Sequence, residues 1–162
     1  MKENTEKRSL FPNNIHDQTT RLHDLIERLL ILSKLENADS LTNIQTVNAN
    51  ALLTDVARTY EDFAISNSVS IQVTLPAEVL TVHGDRFLLH QAVGNLVKNA
   101  IEHGHPQIEI NVSAHIEDKS LQIRLSNVGK LIPDYANDNL FDKFYSLPNH
   151  RGRKGVGLGC VL

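Results

Sequence analysis

HQAVGNLVKNAIEH, residues 90–103, has the clearest pattern in the chain. Val93, Leu96, Val97, Ala100 and Ile101 recur at intervals of three and four, the period of one buried helix face. Asn95 and Asn99 stand four apart, so one lies above the other on a single side of that helix. Carboxamides both donate and accept, and two so placed suit a metal ion or phosphate oxygens. Two solvated asparagines on an ordinary helix give the same spacing. The choice rests on the sequence further along.

On the N-terminal side, Asp85 stands where a helix cap belongs. Leu80–His83 and Val69–Leu75 read as short strands. Residues 50–65 place Leu52, Leu53, Val56, Ala57, Tyr60 and Phe63 at helical spacing, with Asn48 or Asn50 as the cap. Ile44–Val47 is short and strand-like. Further back, a heptad starts at Ile15: Ile15, Leu22 and Leu29 share one seam position, and Gln18, Leu25 and Leu32 the other. Ile26, Leu30 and Leu35 widen the stripe, which predicts packing against another helix or a second copy of the chain. A core helix of the same domain is the alternative. Asn37–Ser40, good turn formers, end this segment. On the C-terminal side, Ile108, Ile110, Val112 and Ala114 alternate, as do Leu121, Ile123 and Leu125. The polar turn Glu117–Ser120 joins these two strands. A helix followed by mixed strands and helices predicts an α/β sandwich behind a helical N-terminal element.

Composition narrows the function. With 162 residues the chain suffices for one domain and an appendage, and 41% hydrophobic with 22% charged residues is ordinary for a soluble globular protein. A net charge of −3 leaves no general basic footprint for nucleic acid. The single cysteine, Cys160, excludes an intrachain disulfide and fits a reducing compartment. No apolar run approaches the roughly 18 residues that span a bilayer, and the N-terminus lacks the apolar core of a signal peptide. A cytoplasmic protein without a membrane segment is expected.

Three further segments follow: SNVGKLIPD (126–134), LFDKFYSL (140–147) and KGVGLG (154–159). Glycines let backbone N–H groups approach an anion closely, and Arg151, Arg153 and Lys154 add positive charge suited to polyphosphate. In this order the segments resemble the ATP-binding domain of two-component sensor histidine kinases, of the Bergerat or GHKL type; IPDYA and LFDKFYSLP are closest in wording to the CreC type. The resemblance implies an α+β fold: a two-layer α/β sandwich of the histidine-kinase ATPase type, incomplete at its C-terminus and preceded by a long dimerisation-type helix. Residues 1–40 would then hold an N-terminal segment and the remnant of that helix, and 41–162 the truncated ATP-binding domain. ATP and Mg²⁺ are the implied cofactors.

By the same resemblance, Asn95 and Asn99 match the N box, with Asn99 on the magnesium of Mg-ATP. Asn127 and Gly129 fall in the first glycine box, and Leu140, Phe141 and Phe144 in the F box. Gly155, Gly157 and Gly159 match the second glycine box beside the triphosphate. Lys98 and Lys154 would neutralise charge as the γ-phosphoryl group leaves. Glu102 and His103 are the candidates for orienting a proton or a water. The upstream QTTRLHDLIERLLILSKLE is similar to the second helix of the dimerisation hairpin, with Leu22, Leu25, Leu29 and Leu32 on its seam.

The chain departs from the family pattern in three places. His16-Asp17 copies the start of a phosphoacceptor motif, but Arg21 replaces its proline, and the segment runs straight into the second-helix seam. Autokinase activity is therefore not expected. The chain stops just past the second glycine box, which would leave sheet edges open and predicts a homodimer. Asn127 stands where the family usually has an aspartate that accepts from the adenine amino group, and Lys130 and Leu131 replace smaller residues. Weakened adenine recognition is expected. Implied partners are a second copy, an intact sensor kinase or a response regulator. A non-catalytic interaction protein acting through the N-terminal helix is the competing reading. The remaining histidines share no metal spacing and read as ordinary polar residues.

Overall fold

The computed structural model describes residues 22, 26, 43–129, 133–139 and 142. The chain divides into two compact units, Met1–Ala38 and Asp39–Leu162. In the first, Leu22 and Ile26 are helical and exposed. Leu25, Leu29 and Leu32 lie outside the described residues.

The second unit opens with β1 (Gln45–Asn48), which runs into helix α1 (Ala49–Thr59). Asn48 caps that helix, its side-chain oxygen accepting from the Ala51 N–H at 2.9 Å. Asn50, the other cap candidate, has a different task. Its amide donates to the carbonyls of Pro76 (3.2 Å) and Glu78 (3.0 Å), and its oxygen accepts from the Leu80 N–H at 3.0 Å. One side chain thereby fixes the connection between two strands. Ala49, Leu52, Leu53 and Val56 are buried, the stripe that the helical period predicts.

The single helix expected over 50–65 is interrupted. A second helix, α2 (Glu61–Ser66), follows α1 after a break at Tyr60, where φ is −100° and ψ is 6°. The Tyr60 ring lies over Gly94, where even a Cβ would approach it to 3.0 Å. Bonds from Tyr60 N–H to the Val56 carbonyl and from Ala64 N–H to the Tyr60 carbonyl continue across the break. The apolar period therefore runs on while the backbone does not. Helix α2 ends in a left-handed residue, Ser68 (φ 58°). Ser68 N–H bonds the Ile65 carbonyl, and Val69 N–H bonds the Ala64 carbonyl, closing the helix end.

Among the described residues the strands form two sheets. β1 pairs antiparallel with β3 (Thr81–Gly84), Gln45 opposite Gly84. The other sheet has the order β2-β4-β5, from Ser70–Thr74, Glu109–Glu117 and Ser120–Ser126. β2 is parallel to β4, with Ser70 opposite Glu109, and β4 is antiparallel to β5. The hairpin turns through Asp118 (φ 49°) and Lys119 (φ 64°), both left-handed, as a two-residue turn matched to strand twist requires.

Helix α3 (Arg86–His103) is the expected central helix. Asp85 caps it, accepting from Phe87 and Leu88 N–H groups at 2.8 and 3.2 Å. It packs on α1 and β5, and Val93, Val97 and Ile101 join Leu53, Val56, Ile110 and Val112 in one core. Burying each such side chain contributes about 1.5–3 kcal/mol. Leu96 departs from the expected buried face: it is 45% exposed. At about 100° per residue it falls on the flank of the stripe that Val93 and Val97 centre. The layer of helices over a mixed sheet is the α+β sandwich expected from the sequence. Helix α4 (Asp134–Asn137) follows, with Ala136 buried.

Candidate functional site

Helix α3 is buried on more than one side. Asn95 is turned about 160° from both Val93 and Val97 on an ideal helix, yet it is only 4% exposed. Its Nδ2 is buried and, among the described residues, has no hydrogen-bond partner. An orphaned amide is uncommon in a native interior and marks a place where another group belongs. Asn99, one turn on, is half-buried, as are Lys98, Glu102 and His103, and each of these four is engaged by a neighbouring group.

The segment after β5 docks on the C-terminal end of this helix. Asn127 donates its Nδ2 to the Ala100 carbonyl at 3.3 Å, and His105 N–H donates to the Val128 carbonyl at 3.1 Å. Gly104 and Gly129 form an antiparallel bridge. A Cβ at Gly129 would lie 2.7 Å from the His103 carbonyl oxygen, so only glycine allows the two backbones this close. The sequence suggested a glycine that admits a ligand. Contact with the helix end is a further role, and only the fold displays it.

The structure therefore brings Asn95, Lys98, Asn99, Glu102, His103, Asn127 and Gly129 to one helix and the strand end docked on it. Phe144, Lys154, Gly155, Gly157 and Gly159 lie outside the described residues, as do Leu140, Phe141 and His16. Among the described residues no cluster of His, Cys, Asp or Glu could hold a metal by itself. A buried amide donor at Asn95, a second amide at Asn99 and the amide of Asn127, whose nitrogen rather than oxygen meets the Ala100 carbonyl, instead fit a ligand rich in oxygen and bearing a hard cation. No described helix is long and apolar enough to cross a membrane.

Two open concavities, of about 370 and 460 Å³, lie at the other end of α3. Asn43, Gln45, Arg86, Phe87 and His90 line one, and Asn50, Thr54, Asp55, Arg58 and Arg86 border the other. Arg86 pairs with Asp55 at 3.0 Å between exposed groups, a contact worth under about 1 kcal/mol. Neither concavity includes an asparagine of the N box.

The family described as histidine kinase-, DNA gyrase B-, and HSP90-like ATPase matches residues 84–162. The heme sensor protein HssS of Staphylococcus haemolyticus is 34% identical over 160 residues, 98% of this chain and 34% of that protein. The sensor protein CreC of Escherichia coli is 35% identical over 152 residues, 94% of this chain and 31% of that protein. The chain thus spans about a third of the length of these curated relatives. Among solved structures, the Acinetobacter baumannii histidine kinase AdeS superposes with a TM-score of 0.73 at 23% identity, covering 94% of this chain and 70% of that one. Full-length ShkA in complex with AMPPNP superposes with a TM-score of 0.76 at 20% identity, covering 96% of this chain and 32% of that one. With this fold, this pair of asparagines on its central helix and these relatives, residues 84–162 carry a histidine kinase-, DNA gyrase B-, and HSP90-like ATPase domain, and the chain has the fold of histidine kinase catalytic domains.

Proposed function

We propose that this chain binds Mg-ATP as the nucleotide-binding module of a two-component sensor kinase and does not phosphorylate itself. The observation that carries the reading is the buried, unpartnered amide of Asn95 one helical turn from Asn99. When bound, Mg-ATP supplies the γ-phosphoryl group. Asn99 offers an amide oxygen to the cation, and Asn95 donates to a phosphate oxygen. Lys98 and Lys154 balance phosphate charge, Gly155, Gly157 and Gly159 admit the triphosphate, and Phe144 of the F box belongs to the same nucleotide site. Asn127 accepts from the purine amino group. Glu102 or His103 orients a proton or a water at the transferred group.

The acceptor reading rests on sequence. The chain contains no Pro-Leu pair, so none of its histidines, His16 included, completes the acceptor motif. Phosphoryl transfer then requires a histidine on another chain. Incubation with Mg-ATP labelled in the γ-phosphate should leave the purified chain unlabelled. An acid-labile label on His16 would overturn this part of the reading.

A second reading, a helix that pairs with itself or with an intact sensor kinase, is favoured by Leu22 and Ile26, which are 58% and 49% exposed on a helix. In the sequence Leu25, Leu29 and Leu32 continue the heptad seam of Leu22, with residues 1–40 as the pairing segment and 41–162 as the ATP-binding domain in this proposal. Light scattering should give a dimer that Leu25→Lys converts to a monomer; a wild-type monomer at micromolar concentration contradicts it. A response regulator is the partner proposed for the intact assembly.

A further inference from the structure

We propose that Asn127 is a positioning residue whose side-chain amide fastens residues 127–129 to the last turn of α3, setting the spacing between the two ends of the site. What that spacing serves rests on the nucleotide-binding reading above; the fastening itself rests on contacts already described. Two of these, the Gly104–Gly129 bridge and the bond from His105 N–H to the Val128 carbonyl, are made by backbone alone. Any residue at 127 leaves them possible. The third, from Asn127 Nδ2 to the Ala100 carbonyl, depends on the side chain.

Its chemistry is one-sided. The Ala100 carbonyl also accepts from Gly104 N–H at 2.9 Å and offers no proton, so its partner at 127 must donate. An amide does so at every pH and keeps its oxygen for a ligand. An ionised carboxylate cannot, and it would face the partial negative charge of a helix C-terminus. A protonated carboxyl can donate again. Asn127→Asp should therefore turn a permanent fastening into a pH-dependent one. The helix end raises the new carboxyl's folded pKa above its unfolded value of about 3.9. The variant then matches wild type while protonated and loses stability as pH rises through the folded value. The other charged and titratable groups on the packed elements are Arg86, His90, Lys98, Glu102 and His103 on α3, His105 beyond it, Glu109 and Glu117 at the ends of β4, and Arg124 on β5. His115 lies on β4 beside Glu117. All are shared with wild type, so a variant-minus-wild-type difference removes their titration.

Melting temperature, exchange of the His105 amide hydrogen and affinity for Mg-ADP would be measured for wild type, Asn127→Asp and Asn127→Ala at pH 4.5 and pH 8. At pH 8, Asn127→Asp should melt about 2–4 °C below wild type and exchange faster at His105. Asn127→Ala, which loses both the fastening donor and the acceptor oxygen, should bind Mg-ADP between about two- and tenfold more weakly. The gaps in melting and exchange should narrow at pH 4.5 for Asn127→Asp and persist for Asn127→Ala. Equal gaps at both pH values, or an Asn127→Asp variant as stable as wild type at pH 8, would overturn the fastening. Wild type that binds no Mg-ADP, with the pH-dependent melting and exchange intact, would instead sink the nucleotide reading and leave the fastening standing.

Discussion

A buried amide without a partner costs about 1–3 kcal/mol, and Asn95 bears that cost on the helix that organises the domain. Replacing it by an apolar side chain of similar length removes the cost along with the donor. Asn95→Leu should therefore raise the melting temperature of the ligand-free protein by at least about 2 °C and abolish its further rise on adding Mg-ADP. A fall in melting temperature would mean that the amide is satisfied in the folded protein. The spacing of Asn95 and Asn99 was legible in the sequence, because two amides four residues apart must share a side of a helix. The burial of Asn95 was not. Hydropathy assigns an amide to the surface, and nothing in the local pattern marks this one as enclosed. The same limit hid the contact of Gly129 with His103, since a glycine in a polar stretch looks alike whether it meets a ligand or a backbone.

Element boundaries follow local chemistry wherever that chemistry is self-contained. The Asp85 cap, the alternation of β4 and β5 and the hairpin between them all arose where single-sequence patterns placed them. The hairpin turn pays a conformational penalty for its residues, since Asp118 and Lys119 are both left-handed without being glycine. Lys119→Gly relieves one of them, and chemical denaturation should show a gain of about 0.5–1 kcal/mol; a loss would mean that the lysine side chain contributes more than its backbone strain removes. The break at Tyr60 was not legible. Leu52, Leu53, Val56, Tyr60 and Phe63 keep a helical period across it, and the interruption sits where the Tyr60 ring meets Gly94 on another helix. Tertiary contact overrode a locally consistent pattern.

At the scale of the whole molecule, the helices cover one face of the mixed sheet, and Val97, Ile101, Ile110 and Val112 are almost wholly enclosed between them. That core makes α3 a rigid support: its inner face holds the fold, and its other side presents Asn95 and Asn99. The family resemblance was legible because its motifs occur in order along the chain, each too short to be specific by itself. The central claim is that α3 binds a magnesium nucleotide through these asparagines. Calorimetric titration with ADP, with and without Mg²⁺, on wild type and Asn99→Asp tests it most directly. Binding that requires Mg²⁺ and changes at least about tenfold, or 1.4 kcal/mol, in Asn99→Asp is the predicted result. No heat at millimolar nucleotide, or binding indifferent to both Mg²⁺ and Asn99, would contradict it.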